Sequence, residues 1–161
     1  MYRNVVWRTE IRRVIEYSRT LGTGNPLKAM IERTTGSRRI LIVEEVQETR
    51  DSIKELLRRD RYWVDSAGDE EEAVDRVQRN HPDLILISLA GAPARVIATA
   101  ERIRVRGGLT QQTPVVIFSL ATVPQGAEEE LSGNIHVTVP DNFNQLRSLL
   151  TRVLRGASRI H

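Results

Sequence analysis

The fold is decided by the stretch Asp83-Leu84-Ile85-Leu86-Ile87-Ser88-Leu89, in which four consecutive large apolar residues are followed by a hydroxyl side chain. An apolar run of this length indicates a central strand of a parallel sheet, because helices cover both faces of such a sheet. Open α/β sheets place their functional sites at the carboxyl ends of the strands. The chemistry of Ser88 should therefore decide what this site can do.

Apolar runs and helical patterns alternate on both sides of this stretch, as in repeated βαβ units. Five strands are predicted at residues 40–43, 63–67, 83–89, 114–119 and 135–139, with helices at 47–59, 70–80, 94–106 and 125–131 and a last helix beginning at Asp141 or Asn142. With right-handed crossovers, the simplest arrangement is a doubly wound five-stranded parallel sheet in the order 2-1-3-4-5.

The first part of the chain differs from the rest in charge. Residues 1–39 hold nine Lys/Arg and three Asp/Glu, whereas residues 40–161 hold fifteen and eighteen. Helical spacing predicts an amphipathic helix over 4–21 and a shorter helix that ends at about Thr34. Arg8, Arg12 and Arg19 form a stripe beside the apolar face of the first helix. We expect a basic helical extension (1–37), a main domain (38–157) and a short tail (158–161).

Composition excludes several classes of protein. The chain has no cysteine, three scattered histidines and no glycine-rich loop after its first strand, so no thiolate metal site, catalytic triad or nucleotide phosphate site can be assembled. No run resembles a signal peptide or a membrane span. We expect a cytoplasmic protein that is not an enzyme and has no cofactor and no small-molecule substrate.

Four segments carry a resemblance to a known family. They are Arg-Arg-Ile-Leu-Ile-Val-Glu-Glu (38–45), Pro-Asp-Leu-Ile-Leu-Ile-Ser-Leu (82–89), Pro-Val-Val-Ile-Phe-Ser-Leu-Ala (114–121) and Val-Thr-Val-Pro (137–140). In order and spacing they resemble the receiver domain of bacterial two-component response regulators, over about residues 38–156. The resemblance implies a flavodoxin-like fold and a place in two-component signalling and phosphorelays.

In that family, an acidic pair after strand one and an aspartate after strand three hold Mg²⁺, and the aspartate accepts a phosphoryl group from a histidine kinase. A hydroxyl after strand four and a lysine after strand five contact that group. The corresponding positions here are Glu44 and Glu45, Ser88, Ser119 and Val139, and only Ser119 is a clean match. A serine hydroxyl does not attack as an anion at neutral pH, and Val139 brings no positive charge, so a degenerate pseudo-receiver is expected.

Several of these site residues have two possible interpretations. Glu44 and Glu45 are either a solvated pair at the start of the next helix or a weak vestigial cation site. A structural hydroxyl is favoured over a phosphoserine at Ser88. His136 falls at the family's aromatic switch position, where an ordinary half-exposed strand histidine is favoured over a titrating switch.

The function predicted from these residues is a phosphorylation-independent interaction module with a protein partner or a second copy of the chain. By resemblance, the docking face is the one formed by the fourth helix, fifth strand and fifth helix, at about residues 125–155. The N-terminal helices could instead pack on the main domain or form a dimer arm. The alternative function is nucleic-acid or anionic-surface binding through Arg8, Arg12 and Arg19, although no nucleic-acid motif is visible.

Overall fold

The computed structural model describes residues 37–118 and 123–158. In chain order its helices and strands are β1 (Arg39–Glu44), α1 (Gln47–Arg59), β2 (Trp63–Ala67), α2 (Glu70–Arg79), β3 (Leu84–Ser88), α3 (Pro93–Arg106), β4 (Val115–Phe118), β5 (Glu128–Leu131), β6 (Ile135–Thr138) and α4 (Phe143–Ser158). Three groups of predicted features lie outside the described residues: the N-terminal helices with Arg8, Arg12 and Arg19, the hydroxyl of Ser119, and the tail beyond Ser158.

The strands form one sheet in the order β2-β1-β3-β4-β6-β5. Neighbouring strands from β2 to β6 are parallel. Because β6 is the strand predicted as the fifth, these five strands reproduce the expected order 2-1-3-4-5. The doubly wound α/β fold is therefore confirmed.

The helix predicted at 125–131 is wrong, and so is the count of five strands. Glu128–Leu131 forms β5, which pairs antiparallel with β6 at the edge of the sheet. A tight turn connects the two strands, and Gly133 (φ 75°) and Asn134 (φ 60°) both adopt left-handed backbone conformations there. A helix of about seven residues gains little, because nucleation costs more than so few hydrogen bonds return. Pairing with β6 therefore overrides the helical preference of the Ala-Glu-Glu-Glu-Leu run.

Two apolar clusters cover the two faces of the sheet. On one face, α1 and α4 pack on the even-numbered residues of β1, β3 and β4, and on the other, α2 and α3 pack on the odd-numbered residues. The α2–α3 contact is close at Gly107, where an added Cβ would collide with the side chain of Val77. All four residues of β4 and all five of β3 are buried, as expected for central strands.

A buried arginine fixes the turn between β5 and β6. Arg104 of α3 is only 3% exposed, and its Nη1 donates to the carbonyl oxygens of Thr113 (3.2 Å) and Gly133 (2.6 Å). Burial lowers the pKa of Arg104. The guanidinium therefore ties α3 to two loops at the amino ends of the last strands. Within the described parts of the chain, every helix is too short or too polar to cross a lipid bilayer.

Candidate functional site at the carboxyl edge of the sheet

Glu44 and Glu45 lie at the end of β1 but in different environments. Glu44 is fully buried, and its Oε1 accepts a hydrogen bond from the backbone N–H of Val46 (3.0 Å). Glu45 is exposed, and its Oε1 accepts from the backbone N–H of Ala90 (2.8 Å), in the loop after β3. At least one oxygen of each carboxylate is thus used to hold the backbone of this edge.

Ser88 is the last residue of β3, and it is 7% exposed. In the parallel ladder it is the partner of Glu44, so both side chains lie on the same face of the sheet, on neighbouring strands. The sequence placed these two residues at one site, and the structure brings them together. The site offers a hydroxyl beside a carboxylate, with no second carboxylate on β3.

Val139 follows β6 and packs against the apolar cluster on the α2–α3 face. Its backbone is also engaged, because its carbonyl oxygen accepts from Gly126 N–H (2.6 Å) and its N–H donates to the Ala127 carbonyl oxygen (3.3 Å). The side-chain amide of Gln145 donates to the Gly126 carbonyl oxygen (2.7 Å). The segment before β5 is thus bonded to the end of β6, and the side chain at position 139 is aliphatic and uncharged.

The family model for the response regulator receiver domain matches residues 40–153, which is most of the chain. The chain belongs to the response regulator receiver domain family. Receiver domains are signalling modules that interact with protein partners. No curated protein matches the chain.

Solved structures of other receivers have the same fold. The N-terminal domain of a response regulator/sensory box/GGDEF 3-domain protein from Carboxydothermus hydrogenoformans is 25% identical, with a TM-score of 0.57, and the alignment covers 77% of this chain and 100% of that one. The receiver domain from Methylobacillus flagellatus is 17% identical, with a TM-score of 0.58 and coverages of 73% and 99%. The response regulator protein TrrA from Thermotoga maritima, solved in complex with Mg²⁺-BeF, is 21% identical, with a TM-score of 0.55 and coverages of 72% and 98%.

The edge of this receiver does not fit the Mg²⁺ ion that the family implies. Mg²⁺ needs several oxygen ligands in near-octahedral geometry. Among residues 37–118 and 123–158, no three His, Asp or Glu side chains come together as a metal site would require. Glu44 and Glu45 each direct an oxygen to a backbone N–H, and Ser88 offers only a neutral hydroxyl.

His136 lies in β6, pairs with Glu130 of β5 and is half buried. Its Nε2 is 3.0 Å from Oδ1 of Asn134. Burial is the main cause that lowers the pKa of His136; Arg152 also lowers it, whereas Glu130 and Glu128 act in the opposite direction. The imidazole is therefore neutral at pH 7. His136 lies two residues farther from the carboxyl edge of the sheet than the row of paired residues that contains Glu44 and Ser88.

A groove that no sequence pattern predicted lies on the α1–α4 face of this receiver. Its volume is about 740 Å³, and it lies between the β5–β6 pair and the last two turns of α4. Glu128, Glu130 and His136 line one side, and Leu149 and Val153 line the other. The docking face predicted from the fourth helix of the family is thus corrected: in the described residues, a strand with three glutamates occupies that part of the chain. The Gly133-Asn134 pair between Leu131 and Ile135 was the available hairpin signal.

Proposed function

We propose that this chain is a pseudo-receiver, a signalling module that acts through protein contacts and without phosphorylation. The observation that carries the proposal is the buried pair Glu44–Ser88 at the ends of β1 and β3, together with the uncharged Val139 after β6. In the phosphoryl transfer of this family the acceptor attacks as a carboxylate, a serine hydroxyl needs a nearby base to do the same, and the transferred charge must be met by a metal or a cation. The described side chains at this edge offer a neutral hydroxyl at Ser88 and no lysine, and the nearby guanidinium of Arg50 donates to the main-chain carbonyl oxygen of Glu44 (2.8 Å).

The proposed partner surface consists of β5, β6 and α4. Backbone groups of an edge strand alternate in direction, so half of those in β5 point away from β6. Glu129 and Glu130 are exposed on that strand, and Arg152 of α4 is exposed beside it. Such a surface favours a protein partner with basic side chains. It disfavours edge-to-edge pairing with a second copy, because the β5 glutamates of the two chains would repel.

Phosphorylation with acetyl phosphate and Mg²⁺ tests the proposal. The natural chain should take up no acid-labile phosphate. The matched control is the quadruple variant Glu44→Asp, Glu45→Asp, Ser88→Asp and Val139→Lys, which restores the family's residues on the same scaffold and should be labelled if it folds. Circular dichroism establishes its folding, and the Ser88→Ala variant serves as a second blank. Stoichiometric labelling of the natural chain would overturn the proposal.

Binding to nucleic acid or to an anionic surface is the second candidate function. It rests on the nine Lys/Arg and three Asp/Glu of residues 1–39 and on the stripe Arg8, Arg12 and Arg19. Fluorescence anisotropy with labelled duplex DNA, measured from low to high salt, compares the natural chain with the triple alanine variant of the stripe. Binding that falls with salt and is lost in the variant would support this function. Equal weak binding by both chains would exclude the stripe as the site.

A further inference from the structure

The sheet is wider than the pair of helices that covers its α1–α4 face. Strands in a sheet lie about 4.8 Å apart, so β6 and β5 together add about 10 Å, which is the diameter of one helix. On this face the pair presents Glu128, Glu130 and His136, and α4 borders it on one side only. Among residues 37–118 and 123–158, no helix lies over the pair. A groove of about 740 Å³ occupies this position.

The two sides of this groove differ in chemistry. The strand side is acidic: Glu128 forms an ion pair with Arg152 (2.6 Å), while Glu130 faces His136, whose imidazole is neutral at pH 7. The helix side has only the edges of Leu149 (3% exposed) and Val153 (9% exposed), followed by Gly156 and Ala157, which are small enough to allow close approach of a second helix. A helix that fits must place an apolar stripe against α4 and a basic stripe against β5.

The chain contains one segment with this pattern outside the described residues. In the helix predicted for residues 4–21, the apolar stripe includes Trp7, Ile11 and Ile15, and it is flanked by Arg8, Arg12 and Arg19. Fifteen residues separate Leu21 from Ser37, and with the shorter helix predicted over 26–34 they can still span about 33 Å. The distance from β1 to β5 across the sheet is four strand spacings, or about 19 Å. The connection is long enough for docking within one chain.

We propose that residues 4–21 dock in the groove between the β5–β6 pair and α4 of the same chain, with Arg12 beside Glu130. The regulatory consequence rests on the proposed function: the helix covers the partner surface, and a basic partner must displace it. Docking itself does not depend on whether the site at Ser88 can be phosphorylated.

Crosslinking in the full chain tests this placement, because the chain has no cysteine of its own. The variant Arg12→Cys/Glu130→Cys has two thiols, which a short bis-maleimide should join within one chain to give a compact crosslinked monomer. The matched control is Arg13→Cys/Glu130→Cys, in which the thiol lies about 100° farther round the predicted helix. The crosslinked monomer should be lost in this control and weakened in 1 M salt, where the Debye length is about 3 Å.

Three outcomes would overturn the proposal: crosslinks between two chains, equal crosslinking in both variants, or none in either. Phosphate labelling of the natural chain would refute the proposed function and leave the crosslinking result unchanged, so the two failures are distinguishable.

Tryptophan fluorescence gives a second measurement. Trp63 is 64% exposed, so Trp63→Phe should leave the fold intact and Trp7 as the only reporter. In that background, docking should protect Trp7 from acrylamide. Glu130→Arg should remove the protection, and Arg12→Glu combined with Glu130→Arg should restore it. Failure of the charge swap to restore protection would show that these two residues do not meet.

Discussion

Replacing Ser88 with aspartate would place a second carboxylate beside Glu44. The two residues are partners on adjacent parallel strands, which lie about 4.8 Å apart, and both are buried. At an effective dielectric constant of about 20, two negative charges about 5 Å apart repel by about 3 kcal/mol. Val139 provides no compensating charge, and Arg50, which donates to the main-chain carbonyl oxygen of Glu44 (2.8 Å), reduces the repulsion only in part. We therefore expect Ser88→Asp to be less stable by about 2–3 kcal/mol at pH 7 than Ser88→Asn, whose side chain has the shape of aspartate without the charge.

The stability difference between Ser88→Asp and Ser88→Asn should increase as pH rises. Repulsion of about 3 kcal/mol raises the folded-state pKa of the introduced carboxyl by about two units above its usual value of about 3.9. A raised pKa means that the folded state retains the proton after the unfolded state has lost it, so the stability of Ser88→Asp falls as pH rises. The penalty should be small at about pH 4 and fully developed above about pH 6.

Urea unfolding of both variants at a series of pH values measures this difference. Adding Val139→Lys to Ser88→Asp should recover part of the lost stability at pH 7 and little at pH 4, because only the charged carboxylate interacts with the ammonium group. A difference between Ser88→Asp and Ser88→Asn that stays constant from pH 4 to 8 would refute the reasoning. It would mean that the carboxylate at position 88 and that of Glu44 do not share one buried site.

Three further predictions concern the stability of the fold. Arg104→Met should destabilise the fold by about 2–4 kcal/mol in urea unfolding, because two carbonyl oxygens lose their buried donor; a loss below about 0.5 kcal/mol would show that water replaces the guanidinium. Gly107→Ala should cost about 1–3 kcal/mol because its Cβ would collide with Val77. The control Gly156→Ala, made with Gly107→Ala in the Glu130→Arg background where the N-terminal helix should be undocked, meets nothing within 4 Å in α4. It should be neutral or stabilising by up to about 1 kcal/mol; equal effects of the two glycine changes would contradict the packing argument. His136 has a lower pKa in the folded state than in the unfolded state, so the unfolded state takes up this proton first as pH falls, and the stability should fall below about pH 6.5. His136→Gln should flatten this part of the pH–stability curve. An unchanged slope would show that other groups cause the pH dependence.

The site residues could be predicted because their positions follow from strand ends. The apolar runs that form β1 and β3 end at Glu44 and Ser88, and parallel register alone makes these two residues partners. What the sequence did not show is how the carboxylates are used. The hydrogen bond from Ala90 N–H to Glu45 depends on the path of the loop after β3, and no local pattern encodes that path.

The β5 strand could not be predicted from propensity, because Ala, Glu and Leu favour helices in isolation and Glu is depleted in strands. Its three glutamates also break the alternation that marks a half-buried strand, since Glu128 and Glu130 lie on one face and Glu129 on the other and all three are exposed. The tight turn at Gly133 and Asn134 sets the antiparallel pairing, and the buried Arg104 fixes the turn to α3.

The replacement of the predicted helix by β5 changes the surface that a partner could bind. A helix at residues 125–131 would have covered part of the sheet instead of extending it. A strand there widens the sheet and leaves a position for one more helix on the α1–α4 face, beside Leu149 and Val153. A change of one short segment from helix to strand therefore replaces the helical part of the expected docking face with the edge strand β5 and the groove beside it. Mutations chosen by alignment to the family's fourth helix would fall on the β5 glutamates, and they would alter the groove rather than a helical surface.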